Sequence, residues 1–203
     1  MARSARRFAA ISTSVIVAAV LLVGASGPTR ATASVLWVAQ SGTAVVPGTS
    51  CTNPGYVGTT DVAIQAAINN ASSDAVIHIC KGTYSIGATL DLGSTPLTLV
   101  GERASTTILD GGSTLNRDGS WASGGVQILK TTANLTVQTL TFRRGHYATD
   151  TPSGAGAIDA YGTSAVLTVT SCSFLNNSTV NRGGAIRARN LTVTNSTFTR
   201  NSA

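Results

Sequence analysis

Three segments of this chain align without gaps: LTVQTLTF over Leu135–Phe142, LTVTSCSF over Leu167–Phe174, and LTVTNSTF over Leu191–Phe198. They start 32 and then 24 residues apart. A second element recurs between them, Gly154-Ala-Gly-Ala-Ile158 and then Arg182-Gly-Gly-Ala-Ile186. A third follows the last two Phe residues, Phe174-Leu-Asn-Asn177 and Phe198-Thr-Arg-Asn201, whereas the first copy reads Phe142-Arg-Arg-Gly145. Repetition at this spacing marks units that cannot bury an apolar side alone and must stack on their neighbours.

Within each copy the Leu and Val of L-T-V face one side and Thr the other, the alternation of a half-buried strand. Three residues after Val the parity slips. Leu140, Cys172 and Ser196 then share the inward side with Phe142, Phe174 and Phe198. A bend between two short strands produces such a slip, and Gly-Gly-Ala-Ile opens a third strand after a tight turn. Each repeat therefore reads as one coil of short strands. Coils stacked about 4.8 Å apart hydrogen-bond in parallel and join their inward Leu, Val, Ile and Phe into one core. The fold class expected is all-β, a right-handed parallel β-helix solenoid. Leu135, Phe142, Ile158, Leu167, Phe174, Asn177, Ile186, Leu191, Phe198 and Asn201 are its structural repeat positions. The surplus of the longer coil belongs in a surface loop over residues 145–153. Asn177 and Asn201 recur at one bend and predict an inward ladder that satisfies bend backbone groups.

Composition agrees. Charged residues are 11% of the 203 and aromatics 5%, too few charges for a coiled coil or a charged disordered tail. Arg3, Arg6 and Arg7 precede the apolar run Val15–Val23, and Ala31-Thr-Ala33 offers a small-residue cleavage site. Residues 1–33 thus read as a secretory signal peptide, with a cut after Ala25 or an uncleaved anchor as alternatives. The run is short for a bilayer span, so no membrane span is expected after cleavage. The leader holds four of the 14 basic residues and no acid, which leaves 10 basic against 8 acidic residues, a net of +2. The basic character of the whole chain is then a property of the leader and predicts no nucleic-acid partner. In an oxidising compartment Cys51 and Cys80 can pair, tying a Gly/Pro-rich loop to the stretch VIHIC, and Cys172 is left as a buried thiol. Residues 34–59 read as an N-terminal loop and first-strand region and 60–203 as the β-helix. Thr60 and Asp61 open a short capping helix with Ile64, Ala67 and Ile68 on one side. Strands are expected near residues 76–80, 89–92, 97–100, 107–109 and 126–130.

The pattern resembles the right-handed parallel β-helix of the pectin-lyase-like superfamily. The paired GGAI and FxxN elements are similar to the repeats of chlamydial-type polymorphic outer-membrane proteins. The first GGAI copy departs from the pattern, with Ala155 in place of the leading Gly. Upstream, Ile64–Ile68, Val76–Cys80, Lys81–Tyr84, Leu97–Gly101 and Thr107–Gly112 look like the opening coils of such domains. The resemblance implies a secreted or cell-surface protein for adhesion, display or glycan contact. It also implies an alternative, a polysaccharide lyase or glycoside hydrolase, because the fold hosts both. Pectate lyases of this fold hold Ca²⁺ with clustered acids and use an Arg base; their hydrolase relatives group Asp residues near His and Arg-x-Lys elements. Here only Asp110, Asp118, Asp150 and Asp159 follow Glu102, with no Asp-Asp, His-Gly or Arg-Ile-Lys. Arg187-Ala-Arg189 comes nearest to the last. No cofactor or metal is expected, and calcium enters only under the lyase alternative.

Register also nominates contact residues. With Ile158 over Ile186, Asp159 lies against Arg187 and Tyr161 against Arg189. That is either a polar binding site or a cross-strand ion pair with a cation–π contact. Arg143, Arg144, Arg187 and Arg189 belong to a half of the chain that is locally positive, and a stripe of them would attract an anionic polysaccharide or cell-surface glycan. A solubilising surface explains the same charges. His146 falls in the expected loop, where a lone imidazole is usually solvent-exposed. Asp110-Gly-Gly112 reads as a turn. No capping element follows Asn201, so the open end calls for further coils of a longer protein, or for a partner or self-association.

Overall fold

The computed structural model describes residues 34–114, 124–149, 154–180 and 182–203; the expected signal peptide, Asp118 and Asp150 lie outside them. Three parallel ladders build the solenoid among the described residues. The first is seven-stranded, in the spatial order Asn190–Thr194, Val166–Thr170, Leu135–Gln138, Leu97–Gly101, Ala75–Ile79, Val35–Ala39 and Tyr56–Val57. The second is five-stranded: Thr197–Thr199, Ser173–Leu175, Thr141–Arg143, Thr107–Asp110 and Gly82–Ser85. The third is four-stranded: Ile186–Ala188, Ile158–Ala160, Leu129–Lys130 and Leu90–Asp91. From Ala75 to Ala188 each coil visits the three in turn, which makes the chain an all-β parallel β-helix.

The registers place equivalent side chains on one another. Leu97, Leu135, Leu167 and Leu191 form one column, and Leu99, Val137, Val169 and Val193 the next. Phe142, Phe174 and Phe198 stack with ring centroids 5.1 and 4.7 Å apart and planes within 7°, the spacing that neighbouring strands impose. The parity slip has a backbone cause. Thr139, Ser171 and Asn195 hold left-handed φ values of 52°, 54° and 51°, one such residue per coil. A second left-handed position follows Phe at Arg144, Asn176 and Arg200. The Gly before Ala-Ile is required by close approach: a Cβ on Gly156 would lie 2.3 Å from Gly184 O, and one on Gly184 2.3 Å from Ser202 O.

The Asn ladder forms as expected. Asn177 is fully buried; its Oδ1 accepts from Gly145 N–H and its Nδ2 donates to Phe142 O and Asn201 Oδ1. Helix α1, Asp61–Asn69, buries Ala63, Ile64, Ala67 and Ile68 at the start of the solenoid. Thr60 is its N-cap residue but its hydroxyl makes no cap hydrogen bond; Asp61 instead accepts from Gly87 N–H. Cys51 and Cys80 form a disulfide, and Cys172 is buried and free, its thiol pushed up by burial.

Two expectations need correction. The segment after Gly145 does not leave the solenoid as a loop. His146–Tyr147 pairs in parallel with Ser178–Thr179, and His146 is only 8% exposed. Gly145 allows this because it lets the Gly156 carbonyl approach to where a Cβ would sit, and the Asn177 side chain takes its N–H. The registers divide the surplus of eight: four residues fall between Tyr147 and Ile158 and four between Ala160 and Val166. Second, the inward columns are dry only where a coil lies on both sides. Leu135 and Leu167 are buried, whereas Leu191 and Phe198 are each 46% exposed, because no described coil lies beyond them.

Candidate functional site

The outward face of the four-stranded ladder carries one polar column. Register sets Asp91 beside Lys130, Lys130 beside Asp159, and Asp159 beside Arg187, so the charge alternates along the helix axis. Lys130 Nζ lies 2.9 Å from Asp91, with both half-exposed. Arg187 Nη1 lies 3.4 Å from Asp159, and both side chains are about five-sixths covered. Tyr161, one step past the strand end, lies under two guanidinium groups: the Arg187 and Arg189 Cζ atoms are 3.8 and 4.6 Å from its ring centre. Asp91, Lys130, Thr131, Asp159, Tyr161 and Arg187 line a cleft of about 520 Å³.

The two carboxylates of this column differ. Burial works to raise Asp91, but the Lys130 ammonium and the Gly93 N–H outweigh it and hold the group below its ordinary value. Burial also raises Asp159, and there the Arg187 guanidinium fails to cancel it, so the group stays above its ordinary value. The face thus presents an ionised carboxylate engaged by Lys130 and Gly93 N–H, a more easily protonated carboxyl, two cations, hydroxyls and an aromatic ring.

A second cluster was not legible in the sequence. Asp110, read there as a turn residue, is only 4% exposed. Its carboxylate accepts from Arg143 Nε at 2.8 Å, from Arg144 Nε at 2.7 Å and from Gly112 N–H at 3.1 Å, and Arg144 Nη2 closes a fork. Burial alone would raise its pKa, but these donors together hold it below the ordinary value. Arg143 pairs directly across from Asp110 in the five-stranded ladder. The left-handed backbone at Arg144 places the next guanidinium on the same carboxylate. Both arginines share this one buried carboxylate, so the cluster keeps one excess positive charge, with both guanidinium side chains still partly exposed.

His146 sits apart from both clusters. Its Nδ1 lies 2.6 Å from Ser178 Oγ, and burial pushes the imidazole below its ordinary value against the opposing pull of the Ser178 backbone. The residues nominated from sequence therefore fall on three different ladders: Arg143 and Arg144 on the five-stranded one, His146 on the two-stranded one, Asp159 and Arg187 on the four-stranded one. They do not converge in one groove. The structure adds Asp91 and Lys130 to Asp159, Tyr161, Arg187 and Arg189; the signal was the Leu90–Leu129–Ile158 register, which irregular coil lengths conceal. Trp37 and His78, ring centres 4.2 Å apart, stack on the outer side of the seven-stranded ladder. Glu102 lies close to Cys51 and Cys80, whose sulfurs are joined to each other.

Among solved structures, the pectin methylesterase PemA from Erwinia chrysanthemi is similar to this chain at 17% identity with a TM-score of 0.47. The similarity covers 83% of this chain and 50% of that one, so the chain spans about half the length of that protein. No protein-family profile and no curated protein matches the chain. The fold assignment stands on the strand ladders themselves. No helix among the described residues is long and apolar enough to cross a membrane.

Proposed function

We propose that this is a secreted or cell-surface β-helical repeat protein of the chlamydial-type repeat class that serves adhesion or display by contacting glycan. The contact surface is the cleft on the four-stranded ladder. The observation that carries this reading is the Asp91–Lys130–Asp159–Arg187 column with Tyr161 beside it, lining a cleft of about 520 Å³. A rigid ladder holds these groups at the fixed strand spacing, which suits a linear polymer whose own groups repeat. The column is balanced in charge, so selectivity for an anionic polysaccharide falls to Arg189, which stacks on Tyr161 and has no ion pair among the described residues. A lyase or hydrolase reading has one observation in its favour, the Asp159 carboxyl held above its ordinary value inside the cleft.

A glycan array and a uronide-cleavage screen, each with and without Ca²⁺, test both readings. Binding of uronate-containing glycans that is lost in Tyr161→Ala and Arg189→Ala, without turnover, supports contact. Turnover abolished by Asp159→Asn replaces it with the enzyme. Binding that survives both substitutions removes the cleft from the proposal.

A further inference from the structure

Three carboxylates among the described residues take part in ion pairs, and they do so unequally. Asp91 meets Lys130 alone and Asp159 meets Arg187 alone, but Asp110 takes both Arg143 and Arg144. No other described acid pairs with either arginine. One carboxylate balances one guanidinium, so the second positive charge stands uncompensated. It is also held against the first, because Asp110 Oδ2 lies 2.7 Å from Arg143 Nη2 and accepts from Arg144 Nη2 as well. Like charges this close repel. A backbone feature brings them together. Successive side chains of a strand point to opposite faces, and the left-handed φ of 54° at Arg144 turns the second arginine onto the carboxylate that the first already holds.

The contacts leave part of each guanidinium open. Both arginines meet Asp110 along the Nε–Nη2 edge, and neither Nη1 has an acceptor among the described residues. The end-on edge of a guanidinium, Nη1 with the second N–H of Nη2, presents two parallel donors that suit two oxygens of one anion. The side chains are 32% and 42% exposed against 4% for Asp110, so the open part is the one turned away from the carboxylate. Asp110 fixes both groups before any ligand arrives, and donors already in place lose little freedom on binding.

We infer that Arg143 and Arg144 form an anion site that takes a singly charged oxyanion group of an acidic polymer. Carboxylate and sulfate ester share that chemistry. The site lies on the five-stranded ladder, apart from the Tyr161 cleft, and does not depend on the reading of that cleft.

The full chain carrying Tyr161→Ala and Arg189→Ala, which removes the anion contact of the cleft, is passed over immobilised polygalacturonate, dextran sulfate and uncharged dextran in biolayer interferometry. Saturable binding to the first identifies a carboxylate and to the second a sulfate ester, with none to dextran. Arg143→Lys and Arg144→Lys keep the charge and still reach Asp110 but lack the fork, so each should weaken binding about tenfold. Arg103→Gln, at an exposed arginine outside the cluster, removes a whole charge and should leave affinity almost unchanged. A further readout needs no substitution: in the unmutated chain the bound polymer should protect Arg143 and Arg144, but not Arg103, from phenylglyoxal, read by mass spectrometry. Full affinity in both lysine variants, an Arg103→Gln loss as large as theirs, no binding to either acidic polymer, or no protection at Arg143 and Arg144 overturns the inference.

Discussion

Replacing Asn177 by Ala tests whether the bend ladder holds the coils together. The side chain is fully buried and makes three hydrogen bonds, from Gly145 N–H at 2.9 Å, to Phe142 O at 3.0 Å and to Asn201 Oδ1 at 3.0 Å. Alanine removes all three. Asn201 Oδ1 keeps the Asn177 backbone N–H, but Gly145 N–H loses the Asn177 acceptor. An orphaned buried donor costs about 1–3 kcal/mol, and each of the other two bonds contributes about 0.5–1.5 kcal/mol net. The sum is about 2–6 kcal/mol, a large fraction of the stability of a domain this size. At its midpoint, about 4 kcal/mol, Tm falls by about 8–16 °C. Urea unfolding followed by circular dichroism measures the loss. Asn201→Ala serves as the comparison: it takes the acceptor from the Asn177 N–H and Nδ2, but its own site is only partly buried and open to water, so its cost should be about 1–2 kcal/mol, the low end of the range. If Asn177→Ala costs no more than Asn201→Ala, the ladder is incidental and the coils are held by apolar stacking alone.

Phe174, fully buried between two parallel rings, should lose about 3–5 kcal/mol on Phe174→Ala, whereas Phe198→Ala at the half-exposed end should lose less than half as much in the same urea titration. Replacing Cys51 and Cys80 by Ser opens a loop of 29 residues and should cost about 3–4 kcal/mol, read as a lower urea midpoint that reductant does not change further. His146 and His78 are both held below the ordinary 6.5 by burial, so below that pH the unfolded chain binds more protons than the folded one. Stability from this source is complete above about pH 6.5 and falls as pH drops beneath it. The urea midpoint should decline from pH 7 to pH 5, and His146→Gln should flatten part of that decline; an unchanged slope in the double His78→Gln, His146→Gln protein would refute the assignment.

The core was readable because it depends on local rules repeated three times. Leu-Thr-Val alternation states which side chains face inward, and the slip before Phe marks a bend whose left-handed residue, Thr139, Ser171 or Asn195, lets both Val and Phe point the same way. Once two copies align, the register follows, and with it the meetings of Asp159 with Arg187 and of Tyr161 with Arg189. The other contacts depend on which coil lies above or below a residue, and insertions of unequal length hide that from the sequence. Asp110 and its arginines are 33 and 34 positions apart, and only the strand pairing of Arg143 with Asp110 shows that a turn-like Asp-Gly-Gly is a buried ion-pair centre. His146 looked like part of an excursion until Asn177 from the next coil took the preceding N–H and drew the segment into a ladder. Alternation along one strand belongs to the sequence, since it needs only the strand's own geometry. What covers each outward face is a property of the stack, because it is set by residues a whole coil away.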